Sequence, residues 1–448
     1  MKTICLYFQL HQPFRFRNYR FFDIGNDSYY YDDYANETFL RKIADNCYLP
    51  ANKVLLDTII KSKGKFKISF SLSGIALEQF KMYAPEVIES FQALNETGCV
   101  EFLSETYSHS LVALKSKVLF QEQIEKHDLL IEKYFGKKPT VFRNTELVYS
   151  DEIGKMIADL GFTGILAEGA KHVLGWKSPN FVYTNAINPR LKVLMRNFKL
   201  SDDISFRFSN KGWNEYPLTA HKFVSWLNQI NKNDEVINLF MDYETFGEHQ
   251  KAETGIFNFL TEMPAEVLKH KLLGFSTPSE IINERQPISA VHVPSPTSWA
   301  DEERDLSAWL GNELQEEAFN KLYDLTERVS RCHDRKILRD WDYLQISDHF
   351  YYMCTKFFSD GEVHKYFNPY DSPYEAFINY MNVLSDFTLR LDRVVPSCEK
   401  DHKIATLQKT IVDKNEKIKM LELENKKLAI KKKTSLVKKV TSKGNDNA

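Results

Sequence analysis

Between residues 3 and 241 the chain alternates between short apolar runs and longer stretches with helical spacing. This alternation restricts the fold more than any other feature. Residues 3–10 form the first apolar run. Val54, Leu55, Leu56, Ile59 and Ile60 then follow helical spacing, and Phe66, Ile68, Phe70 and Leu72 alternate with polar neighbours at strand period. Further strands are expected at 100–103, 140–143, 163–167, 192–196 and 235–241, with helices at 75–94, 117–135, 151–160 and 218–230. The segment from 11 to about 48 reads as a polar, aromatic loop. Strands separated by helices of roughly 10–20 residues imply βαβ units and a parallel sheet. Six or seven such units exceed a small flavodoxin-like domain and suit a barrel or near-complete barrel over residues 1–290.

After residue 290 the texture changes. Residues 304–330, 334–358 and 373–395 read as amphipathic helices without intervening strands, so 291–396 is expected to be a helical region packed on the barrel. From 404 a heptad emerges, with Ile404, Ile411, Ile418 and Asn425 at a positions and Leu407, Lys414, Leu421 and Leu428 at d positions. Residues 397–430 are therefore expected to form a coiled-coil-like helix that pairs with a second copy of the chain. Residues 431–448 read as a basic, disordered extension.

Net charge is −2 over 448 residues, which gives no global signal for nucleic acid. The lysines that could suggest it are gathered at the end, where 401–448 holds thirteen Lys against six acidic residues. Six scattered cysteines with no CxxC pair argue against a disulfide framework or a zinc knuckle, and point to free thiols in a reducing compartment. The apolar run at the N-terminus stops at Gln9-Leu10-His11-Gln12-Pro13, too short for a signal-peptide core. No uninterrupted apolar stretch reaches the length of a membrane span. A cytoplasmic protein without membrane contact is the expectation.

Chemistry is expected where the strands end. Asp242 follows the run Val236–Met241, and Gly247 marks a turn five residues on; Glu101 and Glu146 fall near two other strand ends, and His11 near a fourth. In a parallel barrel such positions converge on one rim. Two carboxylates flanking a glycosidic bond are what glycoside hydrolysis needs, one attacking the anomeric carbon and one protonating the leaving oxygen. Metal chemistry is the main competitor, but the twelve histidines are never closer than fifteen positions, so no local metal motif exists. A GxSxG elbow, a P-loop and GxGxxG are also absent. Glu244 is either a second acid of the cleft or a turn residue. Asp202 and Asp203 read first as a helix N-cap and second as a subsite contact, and the Tyr29–Tyr34 cluster as a sugar platform or a packed loop.

Four segments come in a suggestive order: His11-Gln12-Pro13, Gly98-Cys99-Val100-Glu101-Phe102, Arg143-Asn144-Thr145-Glu146-Leu147 and Met241-Asp242-Tyr243-Glu244-Thr245-Phe246-Gly247. Together they resemble the first four signature regions of glycoside hydrolase family 57, the α-amylase and α-glucanotransferase family. Ser298-Trp299-Ala300-Asp301 through Asp305 to Asn312 resembles its fifth. The resemblance implies an α/β fold, an incomplete (β/α)7 TIM-like barrel followed by a helical region. It also implies a retaining mechanism on α-glucans, with no metal and no cofactor. Position by position, Glu146 matches the nucleophile and Asp242 the acid/base. His11, Gln12, Glu101 and Glu244 match the sugar-binding cleft, and Trp299, Asp305 and Trp309 fall in the fifth segment as substrate contacts. Retention of both carboxylates favours an enzyme over a glucan-binding protein that merely kept the cleft. A metal-dependent deacetylase on a related barrel would need an Asp followed by paired histidines, which this chain lacks.

Overall fold

Strand β1 (Lys2–Leu10) is buried on both faces, which is why it reads as a continuous apolar run. Ile4, Leu6, Phe8 and Leu10 pack outward against helices, while Cys5 and Tyr7 point inward. The structure, a computed structural model, describes residues 2–358, 364, 368–395 and seven positions between 407 and 421.

The remaining strands are β2 (Ile68–Leu72), β3 (Val100–Phe102), β4 (Val141–Arg143), β5 (Gly164–Glu168), β6 (Val182–Asn185), β7 (Lys192–Arg196), β8 (Val236–Asp242), β9 (Leu273–Phe275) and β10 (Ser289–Val291). They form two five-stranded sheets. One runs β3-β2-β1-β8 with β9 beside the start of β1, and the other runs β10-β6-β7-β5-β4. All pairings are parallel except β6 with β7. The sheets meet at two seams. At one, Ser104 forms a parallel bridge to Phe142, beyond β3 and on β4. At the other, the Asn197 amide donates to the Asn238 carbonyl at 2.8 Å, and the Asn238 side chain donates to the Met195 carbonyl at 2.8 Å. The ladder is thus interrupted at both seams rather than continuous around a closed barrel.

A small apolar cluster lies between the sheets, with Tyr7, Val141, Leu166, Leu194, Val236 and Phe240 among its members. Larger clusters fill the space between sheets and helices, each buried side chain of this size contributing about 1.5–3 kcal/mol. In β8, Val236 and Phe240 belong to the inner cluster and Ile237, Leu239 and Met241 to the outer one. Asp242 is paired with Gln9 at the level where both strands end. A one-residue slip would turn Asp242 to the opposite face and expose the apolar set, so burial fixes the register.

Several expectations need correction. The 11–48 segment is not all loop: it holds a helix at Asp33–Ile43 and a wider helical turn at Ala44–Tyr48. The helix expected at 75–94 is two, Gly74–Tyr83 and Pro85–Glu96, because Pro85 cannot continue the first and starts the second. Strands β6, β9 and β10, of three or four residues each, were not expected from the sequence. Asp202 and Asp203 lie inside the helix Phe198–Ser205, whose cap is Asn197. The helical region is more finely broken than expected, with Ser307–Leu310, Glu313–Tyr323, Thr326–Val329, Arg335–Leu344, Ser347–Tyr351 and Pro373–Val394. It shares one apolar cluster with residues from β4, β5 and β7.

The Tyr29–Tyr34 cluster is divided, with Tyr29 and Tyr34 exposed. Tyr30 and Tyr31 are buried, and their hydroxyls donate to Asp386 and Asp340 of the helical region at 2.7 and 2.6 Å. The five described cysteines are free and buried. Of the heptad positions, Leu407, Ile411, Lys414, Ile418 and Leu421 are described, helical and exposed; Ile404, Asn425, Leu428 and the basic extension lie outside the described residues. No described helix is long and apolar enough to cross a membrane.

Candidate active site

The strand ends surround a cleft of about 640 Å³, within the range of small-ligand sites. Its wall holds Glu146, Asp242, His11, Gln12, Glu244, Trp299 and Trp309, seven of the nine residues singled out from sequence. Two lie elsewhere. Glu101 sits within β3, level with Ser69 and so with Tyr7, below the rim. Its carboxylate accepts the Ser279 amide at 2.9 Å, at the start of the helix Pro278–Glu284. The strand ends one residue later than Glu101, so the rim position falls to Ser104 and Glu105. Asp305 is exposed and accepts the Ser307 amide and hydroxyl at 2.8 and 2.6 Å, just before the short helix that carries Trp309.

Glu146 follows β4 on a tight turn and adopts φ 55° and ψ 26°, with Leu147 also at positive φ. A non-glycine residue in the left-handed region costs of order 1–3 kcal/mol, and such strain gathers at functional sites. The turn is held by its own hydrogen bonds, Leu147 N to Asn144 O at 3.0 Å and Asn144 Nδ2 to Val148 O at 2.9 Å. Both carboxylate oxygens of Glu146 are occupied: His109 Nε2 lies 3.0 Å from Oε1, and the Trp299 indole N–H donates to Oε2 at 2.6 Å.

His109 was not singled out from sequence. It is fully buried, and its other nitrogen, Nδ1, lies 3.0 Å from Glu105 Oε2. Burial alone would lower its pKa, but the two flanking carboxylates raise it to about 9, so the ring is an imidazolium at neutral pH. Burial likewise pushes the Glu146 carboxyl up, yet the His109 hydrogen bond and charge, Arg143 and the Trp299 N–H outweigh it. Glu146 is therefore held below the usual range and ionised. His11 stacks on His109 with centroids 4.1 Å apart. Burial and the His109 charge lower its pKa, and its Nδ1 lies 2.7 Å from the Ser73 hydroxyl.

Asp242 has the opposite character. Burial first, and then the charge of Glu146, push its carboxyl up to about 7, against weaker opposition from Arg143, Arg196 and His109. Glu244, next on the same turn, is raised to about 8 by burial and by Asp242, despite hydrogen bonds from Tyr48 and Gln12. The turn can form only with glycine at 247: its φ is 118°, and a Cβ would stand 2.0 Å from the Asn46 carbonyl oxygen.

One wall of the cleft is an ion network. Arg196 bonds Glu168 at 3.0 Å and Asp202 at 2.5 Å, and Arg304 reaches Asp202 at 3.1 Å. The opposite side receives Asp348 and Tyr351 from the helical region, with Asp348 3.1 Å from His11 Nε2. Arg143 and Arg196 could have been noticed as cations within otherwise apolar strands. Asp348 carries no such signal, because only the fold brings its helix to the rim. Among the described residues, no group of three or more His, Cys, Asp or Glu side chains is placed to hold a metal ion.

The family model described as glycosyl hydrolase family 57 matches residues 5–294. A protein of Methanocaldococcus jannaschii named "Putative alpha-amylase" is 40% identical over 411 residues, covering 89% of this chain and 86% of its own length. A branching enzyme from Thermococcus kodakaraensis superposes with a TM-score of 0.61 at 15% identity, over 88% of this chain and 94% of that one. A 4-alpha-glucanotransferase from Thermococcus litoralis gives 0.55 at 16% identity; the match takes in 85% of this chain but only 59% of the longer transferase. These two structures share the fold; the family rests on the sequence matches. The chain is a glycoside hydrolase and belongs to glycosyl hydrolase family 57.

Proposed function

We propose that this chain cleaves α-1,4-glucans, of the maltooligosaccharide or glycogen and starch type, by double displacement with retention of anomeric configuration. The observation that carries the reading is the pairing in one cleft of an ionised Glu146 with an Asp242 that holds its proton near neutral pH. Those are the states the first step requires.

In that step a Glu146 oxygen attacks the anomeric carbon and the glycosidic C–O bond breaks. Asp242 gives its proton to the departing oxygen, leaving a glycosyl ester on Glu146. Esterification removes the Glu146 charge, one of the two causes that keep Asp242 protonated, so its pKa falls and it can act as a base. Asp242 then takes a proton from the incoming hydroxyl, whose oxygen attacks the anomeric carbon as the ester bond breaks. Both groups return to their starting states. The strands of the two sheets are read as the incomplete (β/α)7 barrel of the family, with residues 291–396 completing the cleft through Trp299, Trp309, Asp348 and Tyr351.

Product analysis on maltoheptaose tests the reading. Shorter products alone, released first as the α-anomer, are expected for an amylase. Products longer than maltoheptaose would indicate a transferase, and new branch points a branching enzyme, the activities named for two proteins of like fold. Binding without turnover would leave a glucan-binding protein and refute the catalytic reading.

A further inference from the structure

Trp299 lines the cleft, and an aromatic side chain there invites description as a sugar platform. Its contacts point elsewhere. Its backbone amide donates to the Glu146 carbonyl at 3.2 Å, and its indole N–H donates to Glu146 Oε2 at 2.6 Å. The second bond is short against the usual 2.9–3.0 Å of N–H···O contacts, and its acceptor is a carboxylate, which strengthens it. The carbonyl of Trp299 accepts from Arg304, so the residue is pinned on both sides.

The ring itself is taken up by cations. The Arg143 guanidinium carbon stands 5.0 Å from its centroid and that of Arg196 5.6 Å. Arg143 is fully buried, and none of its three side-chain nitrogens has a hydrogen-bond partner among the described residues. An unpaired buried cation is costly unless something nearby answers its charge. Here the Glu105 and Glu146 carboxylates answer it through space, and the indole face adds to them at close range. Two cations against a π system draw electron density from it and make its N–H a stronger donor.

We infer that Trp299 is a positioning residue for Glu146, its indole N–H polarised by Arg143 and Arg196 and holding one oxygen of the carboxylate. His109 holds the other oxygen, so the carboxylate cannot rotate, and its remaining lone pairs are fixed in direction. The donor acts most strongly when the glycosyl ester breaks, because negative charge then returns to Oε2. This inference rests on Glu146 being the nucleophile.

Trp299→Phe keeps a flat apolar ring and removes the N–H. Loss of one donor to a developing anion lowers turnover by about 10²-fold in other enzymes. The same order is expected here for kcat on maltoheptaose, with KM unchanged or lower because the ester accumulates. The acidic limb of the kcat/KM profile should also move up, since Glu146 would face only His109, Arg143, Asp242 and Tyr351. A sugar platform predicts the reverse, with kcat kept and KM raised. Less than a tenfold loss in kcat, or a raised KM, overturns the inference. If Trp299→Phe does not fold, Trp299→Leu carries the test on the same two readouts, kcat against KM and the acidic limb, and the same outcomes overturn it. Trapping wild-type protein with a 5-fluoro-α-glucosyl fluoride and mapping the labelled peptide separates this failure from that of the underlying reading. A label on a residue other than Glu146 removes the nucleophile assignment itself. A label on Glu146 with an unaffected Trp299→Phe removes only the positioning role.

Discussion

Asp242 should be a residue whose chemistry weakens the fold, and Asp242→Asn should show it. Its carboxyl titrates near 7 in the folded chain, against about 3.9 in an unfolded one. A raised folded-state pKa means stability that is fully present below about pH 4 and is lost as pH rises through about 7. Three pH units correspond to about 4 kcal/mol at most. Asp242 is partly open to the cleft, so water screens some of this, and about 2–3 kcal/mol is a fairer expectation. Asparagine has nearly the same shape and never ionises. Asp242→Asn should therefore melt several degrees above the wild type at pH 8.5, with the advantage shrinking as pH falls from 7 to 4. Thermal unfolding followed by circular dichroism across that range measures it directly. An advantage that is absent, or that does not change with pH, would refute the claim that burial and Glu146 hold the Asp242 proton.

Other outcomes follow from the same charges. In Glu146→Gln, residual turnover of an aryl maltoside should show its basic limb moved to lower pH; an unmoved limb would mean that a group other than Asp242 controls it. His109→Gln keeps a hydrogen-bonding group but removes the imidazolium, so the acidic limb of kcat/KM should rise, and a profile like the wild type's would remove His109 from control of Glu146. Activity should survive exhaustive EDTA treatment, since two carboxylates suffice for the proposed chemistry; loss restored by one divalent ion would count against the mechanism. Leu407, Ile411, Ile418 and Leu421 form an exposed apolar stripe at heptad spacing, so light scattering should find the full chain dimeric and a chain ending at Val395 monomeric. Two monomers at micromolar concentration would refute the pairing.

The strands that carry the site were legible because each is buried on two sides and bounded by turn residues, as with β1 and β8. The place of Asp242 and Glu146 on the cleft could be read because both fall at or just after strand ends. Glu101 misled because a carboxylate in a three-residue strand can cap a neighbouring helix as readily as face the rim, and sequence spacing does not fix which residue ends the strand. His109 and Glu105 were hidden for the same reason, being set in a loop whose path periodicity does not describe. Asp348 and Tyr351 were beyond reach because their contribution depends on how the helical region docks. For the aromatic segment at 29–34 sequence left a sugar platform and a packed loop open: Tyr30 and Tyr31 are taken up in hydrogen bonds to Asp386 and Asp340, and none of its residues lines the cleft.

The central claim is that Glu146 forms the covalent bond to sugar while Asp242 moves the proton, and α-maltotriosyl fluoride offers the most direct measurement. Fluoride leaves without needing a proton, so the first step bypasses Asp242 while the second still requires it. Asp242→Asn incubated with this substrate should release fluoride in a burst of about one equivalent per chain, and should gain one maltotriosyl unit on the peptide that contains Glu146. Azide should then discharge the ester as the α-glycosyl azide. Absence of a burst, or a label on any other residue, would contradict the account.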